Sequence, residues 1–336
     1  MARLCLVTGA AGFLGRSLVR ALVARGDRVR AFDLHPPGGG GGTGVGAPAV
    51  GGGTAVGTLA AKVEWVTGDV RDAEAVRRAC EGVELVYHLA ALIPQRKAGP
   101  ETMRAVNVGG TANVLEAARA AGARRVVYLS SVEVYGVPKV VPCPEDAPRS
   151  PLGEYARNKI AAEDLCRQAG ERGLEVVVLR PPTIVGPGLD EPFLLGILQA
   201  IRLGKPVTLL GRGQNRFQFV HAEDVAAACL LAGDKPEAAG QDYNLGSADP
   251  PSVGEMVAEV IARVGSSSTV RSVPVPLARM MMKLLMPFGL SPLQPEHLAI
   301  ATADYVFSIE KARTTLGWEP RWGNVEAMLD TYRALA

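Results

Sequence analysis

The first 33 residues contain a strand, a glycine-rich turn, a helix and a second strand in immediate succession. Leu4–Thr8 is a short apolar run without polar alternation, which is typical of a parallel strand buried on both faces. Three glycines at a spacing of three residues follow it, namely Gly9, Gly12 and Gly15. Apolar residues at helical spacing continue to Arg25, and a second strand then ends in Asp33. This order predicts the first strand–helix–strand unit of a parallel sheet.

The turn and the acid after it have the chemistry of a dinucleotide site. Glycine lets a pyrophosphate approach the backbone, and the helix N-terminus offers free N–H groups and a positive dipole end. Asp33 follows Gly15 by 18 residues, where a carboxylate can accept hydrogen bonds from both adenosine-ribose hydroxyls. Because Asp33 would repel a 2′-phosphate and no Arg follows it directly, the sequence predicts NAD rather than NADP.

Composition narrows the class of protein and its expected location. The chain has 336 residues, of which 48% are hydrophobic and 21% are charged, so it can bury a substantial core. Its net charge of +2 predicts neither a nucleic-acid partner nor an acidic-membrane partner. The first strand begins within a few residues of the N-terminus and no apolar run reaches the length of a membrane span, so we expect a cytoplasmic protein without a membrane segment. The cysteines are scattered and predict reduced thiols without a metal site: Cys5, Cys80, Cys143, Cys166 and Cys229.

Strands and helices alternate through the first half of the chain. The alternation predicts that residues 1–180 form a doubly wound, Rossmann-type α/β domain with a parallel sheet. Residues 38–57 contain 11 glycines and predict a flexible loop after the second strand. Residues 181–336 are less regular and predict mainly a smaller substrate-binding domain, with about 217–246 returning to the first domain. The apolar run from Met280 to Leu290 suits either a hydrophobic substrate pocket or internal packing.

Tyr155 and Lys159 form the candidate catalytic pair. They lie four residues apart on a predicted helix, and therefore on one face. A phenol titrates near pH ~10, and a cation one turn away is expected to lower this pKa toward neutrality. The same ammonium can hydrogen-bond a nicotinamide ribose. Ser130 and Ser131 end the fifth predicted strand, at the sheet edge where ligands of open α/β sheets bind.

Taken together, these motifs resemble the extended short-chain dehydrogenases/reductases, a superfamily of NAD-dependent sugar epimerases, dehydratases and 3β-hydroxysteroid dehydrogenases. The resemblance covers essentially the whole chain. It implies that Tyr155 is the general acid/base, Lys159 its electrostatic partner and ribose ligand, and Ser131 the donor to the substrate oxygen. It also implies a set of cofactor-binding residues: Gly9, Gly12, Phe13, Leu14, Gly15, Asp33, Asp69, Val70, Leu89, Ala90, Ala91, Asn107, Tyr155, Lys159 and Pro182.

The substrate positions depart from the sugar-nucleotide members of that superfamily. Thr183 stands where those members usually carry Asn. Their diphosphate-clamping Arg aligns with Phe217, and Arg216 is one position away. Glu133 matches a glutamate of sugar dehydratases, but Val132 replaces the acid before it, which argues against elimination chemistry. Glu133, Thr183 and Arg216 are therefore the candidate substrate residues, and no metal is predicted.

The expected activity is NAD-dependent hydride transfer between nicotinamide and a secondary alcohol or ketone. The substrate is expected to be an apolar, hydroxysteroid-like molecule, because residues 306–312 and 316–320 are similar to hydroxysteroid dehydrogenases. A nucleotide-sugar epimerase of the UDP-hexose 4-epimerase type and a non-catalytic NAD-binding regulator are the alternatives. By family analogy, the helices that contain Asn107 and Tyr155 are expected to pair in a homodimer.

Overall fold

The computed structural model describes residues 2–35, 63–94, 98–285 and 295–335. The stretch 38–57, for which the sequence predicts a flexible loop, lies outside these residues. Within the described ranges, no helix combines the length and the apolar character needed to cross a bilayer.

A parallel sheet forms the centre of the fold. The strands of the described residues are, in chain order, β1 (Leu4–Thr8), β2 (Arg28–Asp33), β3 (Val63–Thr67), β4 (Leu85–His88), β5 (Arg125–Leu129), β6 (Glu175–Arg180), β7 (Thr183–Val185), β8 (Val207–Leu210), β9 (Phe219–His221), β10 (Asp242–Asn244) and β11 (Val270–Val273). Seven of them pair in parallel in the order β10-β6-β5-β4-β1-β2-β3. The order reverses beside β1, which confirms the predicted doubly wound sheet.

Helices cover both faces of this sheet. In chain order they are α1 (Phe13–Arg25), α2 (Ala73–Cys80), α3 (Pro100–Arg104), α4 (Thr111–Ala120), α5 (Glu154–Glu171), α6 (Pro192–Arg202), α7 (Ala222–Asp234), α8 (Val253–Arg263), α9 (Val275–Leu285), α10 (Pro295–Ala301) and α11 (Asn324–Arg333). Cys5 and Val7 pack with residues of α1 and α7, whereas Leu6 packs with residues of α2, α4 and α5. The first strand is continuously apolar because both of its faces are buried.

The second half of the chain contributes to the sheet and also builds a separate core. β10 pairs with β6 at the edge of the central sheet, whereas β7 pairs with β9 and β8 pairs with β11 in two small parallel ladders. A separate apolar cluster joins residues of α6, α8 and α11. The boundary of a substrate domain near residue 181 stays a prediction.

Candidate active site

The glycine-rich turn, residues 9–15, forms a backbone cradle in which there is no room for side chains at Gly9 and Gly15. Gly9 has a φ of +70°, and a Cβ there would lie 2.8 Å from the backbone nitrogen of Ala90. A Cβ on Gly15 would collide with the carbonyl oxygen of Gly9. Gly12 caps α1 without a side-chain hydrogen bond, and the first turn, which contains Phe13 and Leu14, carries no acidic residue. The positive end of α1 is therefore available to an anion.

Asp33 lies beside this cradle, at the end of β2. Its Oδ2 accepts a hydrogen bond from the backbone N–H of Ala11 at 2.9 Å, and its Oδ1 accepts one from His35 at 3.2 Å. The carboxylate is thus fixed next to the turn, where a ribose would follow a pyrophosphate bound at α1. The glycine cradle, the uncapped helix end and this acid fit a dinucleotide.

Replacing Asp33 with Ser tests the predicted cofactor preference. We expect NAD affinity to fall by about tenfold, because a charged acceptor to the ribose is lost. The affinity for NADP should rise, since the repulsion of a 2′-phosphate is removed as well. Fluorescence titrations of both reduced cofactors measure the two changes. Tighter binding of NADP than of NAD by the wild-type protein would contradict the assignment.

A buried histidine fixes the segment that follows β4. His88 bridges two hydroxyls, with its Nδ1 2.7 Å from Oγ1 of Thr8 and its Nε2 2.9 Å from Oγ1 of Thr111. Burial and the charge of Lys159 lower the pKa of His88 to about 3, so its ring is neutral. Oγ1 of Thr8 also accepts from the N–H of Ala90 at 3.3 Å. His88 was not among the candidate residues predicted from the sequence, although an ionisable residue in an apolar strand was a visible signal.

Two of the predicted cofactor residues have partners within the chain. Asn107 lies in a π-helical turn, Ala105–Gly110, between α3 and α4. Its amide donates to the carbonyl of Leu92 at 2.9 Å and accepts from the N–H of Leu92 at 2.7 Å, so it positions the segment that contains Leu89, Ala90 and Ala91. Asp69 accepts from Nε and Nη2 of Arg71 at 2.9 and 2.5 Å, and these bonds lower the pKa of its carboxyl group. Their contacts with a cofactor stay predictions.

The candidate catalytic pair, Tyr155 and Lys159, lies on α5, next to the end of β5. Lys159 is buried, and its Nζ donates to the carbonyl oxygen of Leu129 at 2.7 Å. The same Nζ lies 5.7 Å from the ring centroid of Tyr155 and 4.9 Å from that of Tyr128. Burial lowers the pKa of Lys159 to about 8, while the carboxylate of Glu163 acts in the opposite direction.

The pKa of Tyr155 differs from the expectation. Burial raises this pKa above the ordinary value for a phenol, and the negative charge of Glu133 raises it further. The expected lowering by Lys159 is therefore wrong for the free protein, because the fold removes water from around the phenol and holds the negative charge of Glu133 near it. In the protein without a cofactor, Tyr155 is therefore protonated at neutral pH.

Ser130 and Ser131 have different surroundings. Oγ of Ser130 donates to Glu163 at 2.6 Å, and this serine is buried. Oγ of Ser131 accepts from the N–H of Glu133 at 3.1 Å and caps the short helix Val132–Tyr135. Because Ser131 uses its oxygen as an acceptor in this cap, its O–H can still donate to a substrate oxygen.

The parallel topology gathers the candidate residues at one edge of the sheet. Asp33 is the last residue of β2, and four other candidates each follow the carboxyl end of a different parallel strand: Gly9, Leu89, Ser131 and Pro182. Val70 follows β3 and packs beside Gly110, at the start of α4. This edge at the switch point is where open α/β sheets bind ligands.

The predicted substrate residues lie near an aromatic cluster. Thr183 begins β7 and pairs with Phe219. Arg216 donates from its backbone N–H to Oδ1 of Asp304 at 2.7 Å and from Nη2 to Oδ2 of Asp304 at 3.3 Å. Next to this pair, the ring of Tyr305 stacks on Phe217 with centroids 5.3 Å apart.

Tyr305 is a candidate site residue that was not predicted from the sequence. It is buried, and within the described ranges its hydroxyl has no hydrogen-bond partner. Burial raises its pKa well above the ordinary value, and the charge of Glu133 and the phenol of Tyr155 add to the shift. Tyr305 therefore lies near the proposed catalytic tyrosine, although 150 positions separate them in the sequence.

Known proteins share both the sequence and the fold. A 3β-hydroxysteroid dehydrogenase/Δ5→4-isomerase of Mycobacterium tuberculosis is 31% identical over 97% of this chain and 88% of its own length. A UDP-glucose 4-epimerase of Mycolicibacterium smegmatis is 32% identical over 78% of this chain and 82% of its own. A short-chain dehydrogenase/reductase superfamily protein from Agrobacterium tumefaciens, solved with bound NAD, superposes with a TM-score of 0.74 at 29% identity, covering 99% of this chain and 97% of that one.

The sequence identifies the family, and the glycine-rich turn has the geometry expected for its NAD cofactor. The sequence model described as the NAD dependent epimerase/dehydratase family matches residues 5–246, which include the glycine turn, Asp33 and the candidate catalytic pair. NAD is the cofactor that the turn and Asp33 predict. The chain belongs to the NAD-dependent epimerase/dehydratase family and is an NAD-dependent enzyme of the extended short-chain dehydrogenase/reductase type.

Proposed function

We propose that this enzyme transfers hydride between NAD and a secondary alcohol or ketone, with an apolar, hydroxysteroid-like molecule as its substrate. The main support is the arrangement on α5. Nζ of Lys159 contacts the carbonyl of Leu129 at the end of β5 and lies 5.7 Å from the ring of Tyr155. In this proposal, the acid/base group, the cation and the hydroxyl of Ser131, two residues after Leu129, act together at the cofactor edge of the sheet.

Each of these groups has a role in the proposed reaction. NAD supplies the hydride acceptor, and the glycine cradle with Asp33 would hold its pyrophosphate and its adenosine ribose. Ser131 donates a hydrogen bond to the substrate oxygen and holds the carbon next to the nicotinamide. Tyr155 takes the hydroxyl proton during oxidation and returns it during reduction. Lys159 hydrogen-bonds the nicotinamide ribose and stabilises the phenolate, which burial alone disfavours.

The Arg216–Asp304 pair supports an apolar substrate over a nucleotide sugar. An arginine that clamps a diphosphate needs its fork for phosphate oxygens. Here Asp304 accepts from both the backbone and the guanidinium of Arg216, and its charge would repel a diphosphate. The adjoining rings of Phe217, Tyr305 and Phe307 pack on one another in an apolar cluster, so the surroundings of Arg216 are otherwise apolar.

Replacing Asp304 with Ala tests whether this carboxylate disfavours the binding of a nucleotide diphosphate. We expect UDP to bind about tenfold more tightly to the variant than to the wild type, because one repulsive charge is removed and Arg216 is released. Isothermal titration calorimetry with UDP measures the change. The double variant Asp304→Ala with Arg216→Ala should lose the gain. Tight binding of UDP by the wild-type protein would contradict the substrate class.

A nucleotide-sugar epimerase is the second candidate. It is supported by the 32% identity to the UDP-glucose 4-epimerase. An epimerase keeps its cofactor through the cycle, whereas a dehydrogenase exchanges it. Mass spectrometry of the purified protein and NADH formation with panels of sterols, other secondary alcohols and UDP-hexoses distinguish the two. A non-catalytic NAD-binding regulator would bind NADH and convert none of these compounds.

A cytoplasmic homodimer belongs to the same proposal. The proposed interface is made by the two helical segments that contain Asn107 and Tyr155, namely the π-helical turn that continues into α4, and α5. Light scattering of the purified protein measures its mass, and a monomer at catalytic concentrations would contradict this part.

A further inference from the structure

Glu163 has a buried carboxylate that the proposed reaction does not use. It follows Lys159 by one helical turn on α5 and is 1% exposed. Its Oε1 accepts from Oγ of Ser130 at 2.6 Å and from Nε of Arg180 at 2.8 Å, and its Oε2 accepts from Nη2 of Arg180 at 2.9 Å. A carboxylate is rarely buried so completely unless it is paired, and its partners indicate what it holds.

The partners of α5 are consecutive residues at the end of β5. Lys159 binds the carbonyl of Leu129, and Glu163 binds the hydroxyl of Ser130. The next residue is Ser131, the proposed donor to the substrate oxygen. Lys159 and Glu163 project from the same side of α5 because they are four residues apart. This side of α5 therefore hydrogen-bonds Leu129 and Ser130, the two residues that precede Ser131.

We propose that Glu163 is a positioning residue of the active site, which holds Ser131 in place through Ser130 and keeps the Lys159 ammonium charged. This inference rests on the proposed function, in which Lys159 binds the nicotinamide ribose. Glu163 acts through these neighbours and does not touch substrate or cofactor.

The ion pairs of Arg180 determine how strongly the Glu163 carboxylate can stabilise the charged Lys159 ammonium. Arg180 is also buried, and its Nη2 donates to Oδ2 of Asp242 on β10 at 2.5 Å. The positive charge of Arg180 is therefore shared between two carboxylates, Asp242 and Glu163. Because Arg180 neutralises less of the Glu163 charge, more of that negative charge acts on the Lys159 ammonium. Burial alone disfavours the Lys159 ammonium, and Glu163 opposes that effect.

Other groups also act on Lys159 and would remain unchanged in a Glu163 variant. Cys166, one turn beyond Glu163, and Glu133, on the short helix after β5, favour the charged ammonium as Glu163 does. Among the described residues, three rings also lie near Lys159: Tyr155 on α5, Tyr128 on β5 and His88 on β4.

The test is the pH dependence of NADH binding by Glu163→Gln, which needs no knowledge of the substrate. The affinity for NADH should fall as pH rises through the Lys159 pKa of about 8, because the ammonium loses its charged hydrogen bond to the ribose. In Glu163→Gln, we expect the midpoint of this fall to move to lower pH by about one unit. Fluorescence titrations across that range measure it.

Asp164→Asn is the matched control. It makes the same change in charge on the neighbouring residue of α5. Asp164 is partly exposed and pairs with Arg149 and Arg167, which lie 3.8 and 3.7 Å from Oε2 of Glu163 and so contact that carboxylate less closely than Arg180 does. Its midpoint should equal that of the wild type. An unchanged midpoint in Glu163→Gln, or an equal shift in both variants, would overturn the inference. If the wild-type protein does not bind NADH at all, the proposed function itself fails.

Asp242→Asn serves if Glu163→Gln does not fold. Asp242 is partly exposed, so its loss disturbs the core less. We expect the midpoint to move in the same direction by a smaller amount, because Glu163 must then offset Arg180 alone. A midpoint equal to the wild-type value, or a shift to higher pH, contradicts the inference. Glu163→Asp, which keeps the charge, should restore a midpoint near that of the wild type.

Discussion

Replacing Tyr155 with Phe is expected to lower kcat by about 10³-fold, because the general acid/base is lost while the ring that packs beside Lys159 is kept. The affinity for NADH should change by less than about threefold, since the phenol contributes little to cofactor binding. Stopped-flow measurement of NADH formation with a converted alcohol gives kcat, and fluorescence titration gives the affinity. Turnover that is unchanged in Tyr155→Phe would exclude the assigned role.

Tyr243→Phe is the control for this experiment. Tyr243 is a buried tyrosine on β10, at the edge of the sheet, and within the described residues its hydroxyl has no hydrogen-bond partner. Loss of this hydroxyl should leave kcat unchanged, because Tyr243 packs in the cluster of α1 and α7, on the face of the sheet opposite to α5. A similar loss of activity in both variants would indicate a general effect of removing a buried hydroxyl.

The dependence of the wild-type activity on pH is expected to follow from the shifted pKa values of Tyr155 and Lys159. Oxidation of an alcohol needs Tyr155 as a phenolate, and burial raises the pKa of Tyr155, so activity should rise toward alkaline pH. It also needs Lys159 charged, and the pKa of Lys159 is about 8, so activity should fall again above that pH. Bound NAD⁺ brings a positive ring near the phenol and should move the rising limb toward neutrality.

The local motifs of this site could be predicted from the sequence because each of them is set by spacing along the chain. The glycines of the turn, Asp33 at the end of β2 and the Tyr155–Lys159 pair lie within one strand–turn–helix unit or one helical turn. Their chemistry depends on neighbours in the sequence, and these neighbours are visible without coordinates. The doubly wound sheet was predictable for the same reason, since the strands alternate regularly with helices.

The contacts that join distant segments could not be predicted in this way. Asp304 pairs with Arg216 across 88 positions, and Asp242 pairs with Arg180 across 62. No local pattern indicates which of many arginines a given acid meets. The pKa of Tyr155 was misjudged for a related reason. Sequence spacing shows the nearby cation, but it does not show how much water the fold removes from the phenol.

Gly15→Ala should have the largest effect on cofactor binding. A Cβ at this position would overlap the carbonyl oxygen of Gly9 and lie 2.8 Å from Cα and the carbonyl carbon of Ala10, all of them backbone atoms that cannot rotate away. The start of α1 must therefore move relative to the turn that receives the pyrophosphate. We expect NADH affinity to fall by at least about 100-fold, because several backbone hydrogen bonds to the phosphates are lost together.

Gly196→Ala makes the same chemical change where the fold leaves room for it. Gly196 lies in α6, and a Cβ there meets nothing within 4 Å. Since alanine favours the helix over glycine by about 1 kcal/mol, this variant should bind NADH as the wild type does and unfold at a slightly higher urea concentration. Gly15→Ala should lose stability as well as affinity. Normal NADH binding by Gly15→Ala would mean that the pyrophosphate does not lie on the amino-terminal turn of α1, and the assignment of the whole cofactor edge would fail with it.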